Sequence, residues 1–154
     1  IALEIKIFLI RHKGEINGRS ELCILCRGRI IGKFGIKICE LENSKYIFLR
    51  AEPSGRVVVA HKKHVSEILE LTPQERAAYL EEIAKVSEAI HKIFKPAKVN
   101  YGAYGDTDIT AFHLVPKYTD EYEWGGTFEM NPGKKFLSDE EYAEMIEKIK
   151  SELV

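Results

Sequence analysis

The chain has 154 residues, 45% of them hydrophobic and 31% charged, the balance of one globular domain with enough length to bury a core. A net charge of −1 argues against a broad basic face for nucleic acid. No apolar run is long enough to cross a membrane, and three cysteines are too few for a secreted disulfide scaffold. These features read as a cytoplasmic protein in a reducing compartment, with neither nucleic acid nor membrane as partner.

Residues 1–10 alternate, with Ile1, Leu3, Ile5, Ile7 and Leu9 on one face, which predicts a strand. Glu4 and Lys6 interrupt its apolar run and Arg11-His12-Lys13 follow it, so it does not read as a secretory leader. Residues 1–22 stand as an N-terminal strand and extension ahead of a domain spanning 23–154. Lys45–Leu49 predicts a strand, Ala51–Gly55 a turn, and Arg56–Ala60 the returning strand. Thr72 as N-cap, Pro73 at the first helical position and Glu75 completing a capping box then start a long helix. Along it Ile83, Val86, Ile90 and Ile93 form a heavy apolar line, beside a narrower one of Ala77, Leu80, Ala84 and Ser87. The helix must stop before Pro96. Ser138 and Glu141 repeat the capping pattern for a second helix that presents Tyr142, Met145, Ile146 and Ile149. Hairpin strands with segregated helices predict an α+β fold.

Two places carry residues suited to chemistry. Cys23-x-x-Cys26 has the spacing that lets both sulfurs meet one zinc ion, with His64 the evident third ligand. A pair of buried thiols is the alternative. The second place is Asn100–Tyr118, where a glycine-punctuated segment and a polar turn lead into a strand, Ile109–Val115, that runs into Pro116. Alternation sets Ile109, Ala111, His113 and Val115 on one face, so His113 stands among small side chains, as on the floor of a pocket. The pairs Lys62-Lys63 and Lys134-Lys135 and the acidic run Asp139–Glu141 read as solvated surface.

Asn100-x-Gly102, the strand ending His113-Leu-Val-Pro-Lys117, and the tail Trp124-Gly-Gly-Thr-Phe-Glu-Met-Asn-Pro132 together resemble the histidine triad (HIT) family. Its signature is His-φ-His-φ-His-φ-φ, with φ apolar. The resemblance runs from about Cys23 to the C-terminus. It implies a HIT-like fold: a curved, mainly antiparallel sheet with a long central helix and a C-terminal helix, paired into a homodimer. It also implies binding of a purine nucleotide such as AMP or GMP, and hydrolysis or transfer through a nucleotidyl-histidine intermediate.

Set on the family pattern, His113 is the third triad residue, Ala111 holds the place of the nucleophile and Ile109 that of the first histidine. His113 is what remains of the catalytic set. Asn100, Thr107 and His113 are the implied nucleotide contacts, although the loop 105–108 runs about one residue short and carries two acids. The family's ribose-binding aspartate is replaced by Arg50, with Glu52 two residues further on. In zinc-binding relatives the thiol pair and the His64 equivalent are joined by the first triad histidine, and Ile109 cannot ligate. The expectation is a nucleotide-binding, HIT-like protein with impaired chemistry. The alternatives are an active nucleoside-phosphate hydrolase or transferase using His113 or another group, and a zinc-stabilised interaction module without catalysis.

Overall fold

The computed structural model describes residues 35–49, 55–104, 110–121, 124–128 and 137–153. Residues 1–34, with Cys23 and Cys26, and also Arg50, Glu52, Thr107 and Ile109, lie outside the described residues.

Among the described residues five strands form one antiparallel sheet: β1 (Ile36–Cys39), β2 (Ser44–Leu49), β3 (Val57–His61), β4 (Lys98–Ala103) and β5 (Ala111–Lys117), in the spatial order β1-β2-β3-β5-β4. The hairpin expected across Lys45–Ala60 is β2 and β3, paired through Ile47↔Val59 and Leu49↔Val57. Strand β1 was not read from the sequence, because the apolar residues leading to Ile38 do not alternate cleanly. The β5 strand runs past Pro116 to Lys117, two residues beyond the predicted end. Its pairing with β3 stops at Leu114, so the proline lies beyond that ladder and removes none of its hydrogen bonds.

The long helix α1 (Pro73–Phe94) begins with the expected cap: Glu75 N–H donates to Thr72 Oγ1, and Thr72 N–H donates to the Glu75 carboxylate. It ends at Lys95, whose N–H still reaches the His91 carbonyl while its left-handed backbone (φ 49°) turns the chain out of the helix, and Pro96 follows. Helix α2 (Asp139–Leu153) starts on the reciprocal bonds of Ser138 and Glu141.

Both helices cover one face of the sheet. Ile83, Val86 and Ile90 of the heavy apolar line are buried there, and the line extends back one turn to Tyr79, which is 0% exposed. They meet Val57, Val59, Val99 and Leu114 from the strands, and Tyr142 and Ile149 from α2. The Tyr79 hydroxyl donates to the Val59 carbonyl at 2.7 Å and stands 3.3 Å from that of Thr110, and its ring meets Phe112 edge-on at 5.9 Å. One side chain thereby ties α1 to both β3 and the start of β5. The narrower line of α1 behaves differently. Ala77, Leu80 and Ala84 stay exposed, and only Ser87 is buried.

A carboxylate inside this layer was not anticipated. Glu82 of α1 is 6% exposed and accepts from Asn43 N–H at 2.7 Å, from Asn43 Nδ2 at 3.0 Å and from the Ser44 hydroxyl. It anchors the β1–β2 turn to the helix. A buried acceptor lost from such a set leaves three donors unsatisfied. Glu82→Ala is expected to cost about 2–3 kcal/mol of folding stability, and Glu82→Gln, which keeps an oxygen acceptor, clearly less. Urea denaturation of the two variants checks this, and equal losses would show that packing rather than hydrogen bonding holds the turn.

Candidate functional site

The face of the sheet away from the helices carries the residues of interest. Cross-strand partners share a face, and the registers Ala60↔Ala111, Val58↔His113 and Gly102↔His113 set His113 between Val58 and Gly102, with the two alanines one step along. The alternation read from the sequence therefore holds for Ala111, His113 and Val115. Phe112 and Leu114 point into the helix layer.

Three side chains from separate segments close a ring of contacts with His113. Arg56, at the foot of β3, places Nη2 3.3 Å from His113 Nδ1. The Arg56 guanidinium lies 4.8 Å from the centre of the Phe128 ring, a cation–π contact. Phe128 meets Tyr104 edge-on at 5.7 Å, and Tyr104 returns to His113 at 6.4 Å. Arg56 is only 2% exposed whereas Tyr104 is 53% exposed, so the ring is rooted in the sheet and open at its rim.

Two glycines make this possible. At Gly102 a Cβ would come within 2.0 Å of the Tyr104 ring, so only glycine lets that ring fold back over β4 toward His113. Gly55 has φ +71°, and a Cβ there would lie 2.9 Å from the Phe94 ring. It turns the chain tightly against the end of α1 immediately before Arg56.

Asn100, on the same face as Gly102 and opposite Val115, is half-buried. It lines a cleft of ≈ 280 Å³ along the β4 edge together with Lys98, Tyr101, Tyr104, Thr127 and Phe128. Asn100 and His113 thus share one face, and Tyr104 both packs against His113 and lines the cleft with Asn100. Thr107 lies outside the described residues. His64 is half-buried in the loop after β3, and the described residues hold no group of three or more potential metal ligands. The other two candidate ligands, Cys23 and Cys26, lie outside them.

The sequence pointed to His113 and Asn100 but missed Arg56, Tyr104 and Phe128. Arg56 read as the first residue of a returning strand. The one available hint was a charged residue directly before four buried apolar ones, Val57–Ala60.

His61, at the end of β3, faces the helix layer and belongs to no part of this ring. It is 3% exposed, its ring meets Tyr79 edge-on at 4.9 Å, and its Nδ1 accepts the Lys63 N–H at 2.9 Å.

No family model and no curated protein matches the sequence. Solved structures do match in shape. A histidine triad protein from Bradyrhizobium japonicum superposes with a TM-score of 0.74 at 19% identity, over 82% of this chain and 96% of its own. A hypothetical histidine triad nucleotide-binding protein from Sulfolobus tokodaii gives 0.63 at 21% identity, over 85% and 91%. A zinc-bound histidine triad family protein from Mycobacterium smegmatis gives 0.62 at 17%, over 87% and 94%. At these identities the likeness establishes the fold: α+β, of the histidine triad type.

Burial lowers the His61 pKa below 6.5, and the Lys63 N–H bonds a nitrogen lone pair that only the neutral ring offers. Protons then bind the unfolded chain more readily than the folded one. The contribution of His61 to stability is complete above about pH 6.5 and erodes as the pH falls below it. Between pH 8 and 5 the folding free energy of His61→Phe should fall less steeply than that of the parent protein. Parallel curves would contradict the assignment.

Proposed function

We propose that this chain is a nucleotide-binding protein of the histidine triad type that takes an AMP- or GMP-like ligand and has lost the family's chemistry. The observation that carries this reading is the pairing of Ala111 with His113 on the open face of β5. A methyl group stands where the triad pattern puts the nucleophile, with an imidazole one alternation away. A methyl group can neither attack phosphorus nor hold a nucleotidyl intermediate. His113 is a poor substitute: it stands about 7 Å along the strand from Ala111, and its Nδ1 is engaged by Arg56.

What the face retains supports binding. Asn100, His113 and the open rim at Tyr104 occupy one surface, and Thr107 belongs to the loop that would approach the phosphates. AMP should raise the melting temperature, as any ligand selective for the folded state does. Its affinity should be modest, because Arg50 in place of a ribose-binding aspartate removes a charged hydrogen bond of roughly 1.5–3 kcal/mol. Nucleoside phosphoramidates and dinucleoside polyphosphates should not be turned over at an enzymatic rate, and Ala111→His should restore hydrolysis only in part. Robust turnover by the parent protein, abolished in His113→Ala, would overturn the reading in favour of an active hydrolase or transferase. Absence of any thermal shift with AMP or GMP would favour an interaction module.

Two further properties belong to the same reading. Cys23, Cys26 and His64 would hold a structural zinc ion; two thiolates and an imidazole are a donor set zinc accepts, and the Mycobacterium smegmatis protein of the same fold is zinc-bound. The chain would also form a homodimer through β4 and α1. Among the described residues β4 is an edge strand, and the backbone of Val99–Tyr104 along it offers a template for a second copy. Tyr101 of β4 and Leu80 of α1 are 51% and 48% exposed, and Tyr101 is held to α1 by a 2.6 Å hydrogen bond to Ser87. One chelator-free preparation checks both. Light scattering at micromolar concentration should give a dimer, and elemental analysis about one zinc per chain. A monomer, or metal-free protein of unchanged stability, would count against the corresponding claim.

A further inference from the structure

We infer that Arg56 is a positioning residue that fixes which nitrogen of His113 carries the proton, making the imidazole a hydrogen-bond donor through Nε2. In the nucleotide reading proposed above, on which this last step rests, that donor faces a phosphate oxygen. The argument begins with donor and acceptor inventory. A guanidinium has five N–H groups and no acceptor, and it does not lose its proton in proteins. The 3.3 Å approach of Arg56 Nη2 to His113 Nδ1 is a hydrogen bond only when Nδ1 offers its lone pair. The ring proton then resides on Nε2. Unlike a hydroxyl or an amide, arginine cannot rotate or flip into the opposite role, so the assignment is fixed by the chemistry of the partner.

The arginine is itself held in place. It is almost wholly buried, with the Phe128 ring 4.8 Å from its guanidinium carbon. Phe128 is braced by Tyr104, which also packs against the imidazole that Arg56 addresses. Gly55, with its positive φ and its contact with Phe94, fixes the backbone one residue earlier. A planar cation suits this place because it can lie against an aromatic ring while directing N–H groups along its edge. The consequence is a change of role for His113. A ring protonated at Nε2, with Nδ1 already engaged, is arranged to bind an anion and not to attack phosphorus. This accounts in atomic terms for how a binding face can outlast its nucleophile.

The test reads the tautomer directly. Long-range ¹H–¹⁵N correlation spectra of ¹⁵N-histidine-labelled protein, with the His113 signals assigned through His113→Gln, distinguish the two neutral forms. The parent protein should show the Nε2–H form with or without AMP. Arg56→Met should move His113 toward the Nδ1–H form and weaken AMP binding about tenfold, the scale of one lost hydrogen bond. Arg56→Lys, which restores a donor, should recover most of both. An Nδ1–H ring in the parent protein, or a tautomer unchanged in Arg56→Met, overturns the inference. If the tautomer responds while no variant, nor the parent, binds AMP, the nucleotide reading fails and the positioning role of Arg56 stands. Should Arg56→Met not fold, Phe128→Leu, which unseats the guanidinium from outside, is read in the same way.

Discussion

The register of β5 is the constraint on which the rest of the site depends. Side chains on a strand alternate, so a slip of one residue exchanges every side chain between the two faces. Here Leu114 is buried and Phe112 partly buried on the helix side, and Tyr79 bonds the Val59 carbonyl and stands near that of Thr110 at the head of β5. Thr110 also joins β5 to the loop after β3, through Thr110 N–H to the Val65 carbonyl and His61 N–H to the Thr110 carbonyl. With that register locked, Ala111 and His113 have no alternative but the opposite face. The geometry of the site is a consequence of how the hydrophobic core is packed.

On that opposite face the chemistry follows from what surrounds a single imidazole. Small neighbours, Ala60, Ala111 and Gly102, leave room above the sheet, and Tyr104 folds over the glycine to wall one side. Arg56 supplies a cation at the base. A buried cation on an apolar sheet is costly unless other groups engage it, and His113 Nδ1 and the Phe128 ring both do. On the tautomer inferred above, Arg56 and His113 both present N–H groups at the base of this recess. Such donors suit the anionic ligand proposed for this face.

Much of this was legible in the sequence because it rests on local signals. The reciprocal caps of α1 and α2, the β2–β3 hairpin, the period-two alternation of β5 and the buried line Ile83–Val86–Ile90 follow from short-range stereochemistry and pattern. The resemblance to histidine triad proteins supplied the fold type, and the shape comparison bears that out. What escaped the sequence was non-local. Glu82 looks like one more surface charge on a helix rich in them until the β1–β2 turn arrives to share it. Arg56 looks like a strand end until β5 brings His113 alongside and the segment after Trp124 lays Phe128 over it. Leu80 stood in the narrower line of α1 and is exposed, whereas Ser87 of the same line is buried and bonds the Tyr101 hydroxyl.

The measurement that tests the central claim most directly is a crystal structure of the protein soaked with AMP. The account predicts an intact nucleotide with its phosphate within hydrogen-bonding distance of His113 and Asn100, and no bond between phosphorus and any side chain. A nucleotidyl adduct on His113, or AMP bound away from this face of the sheet, would contradict it.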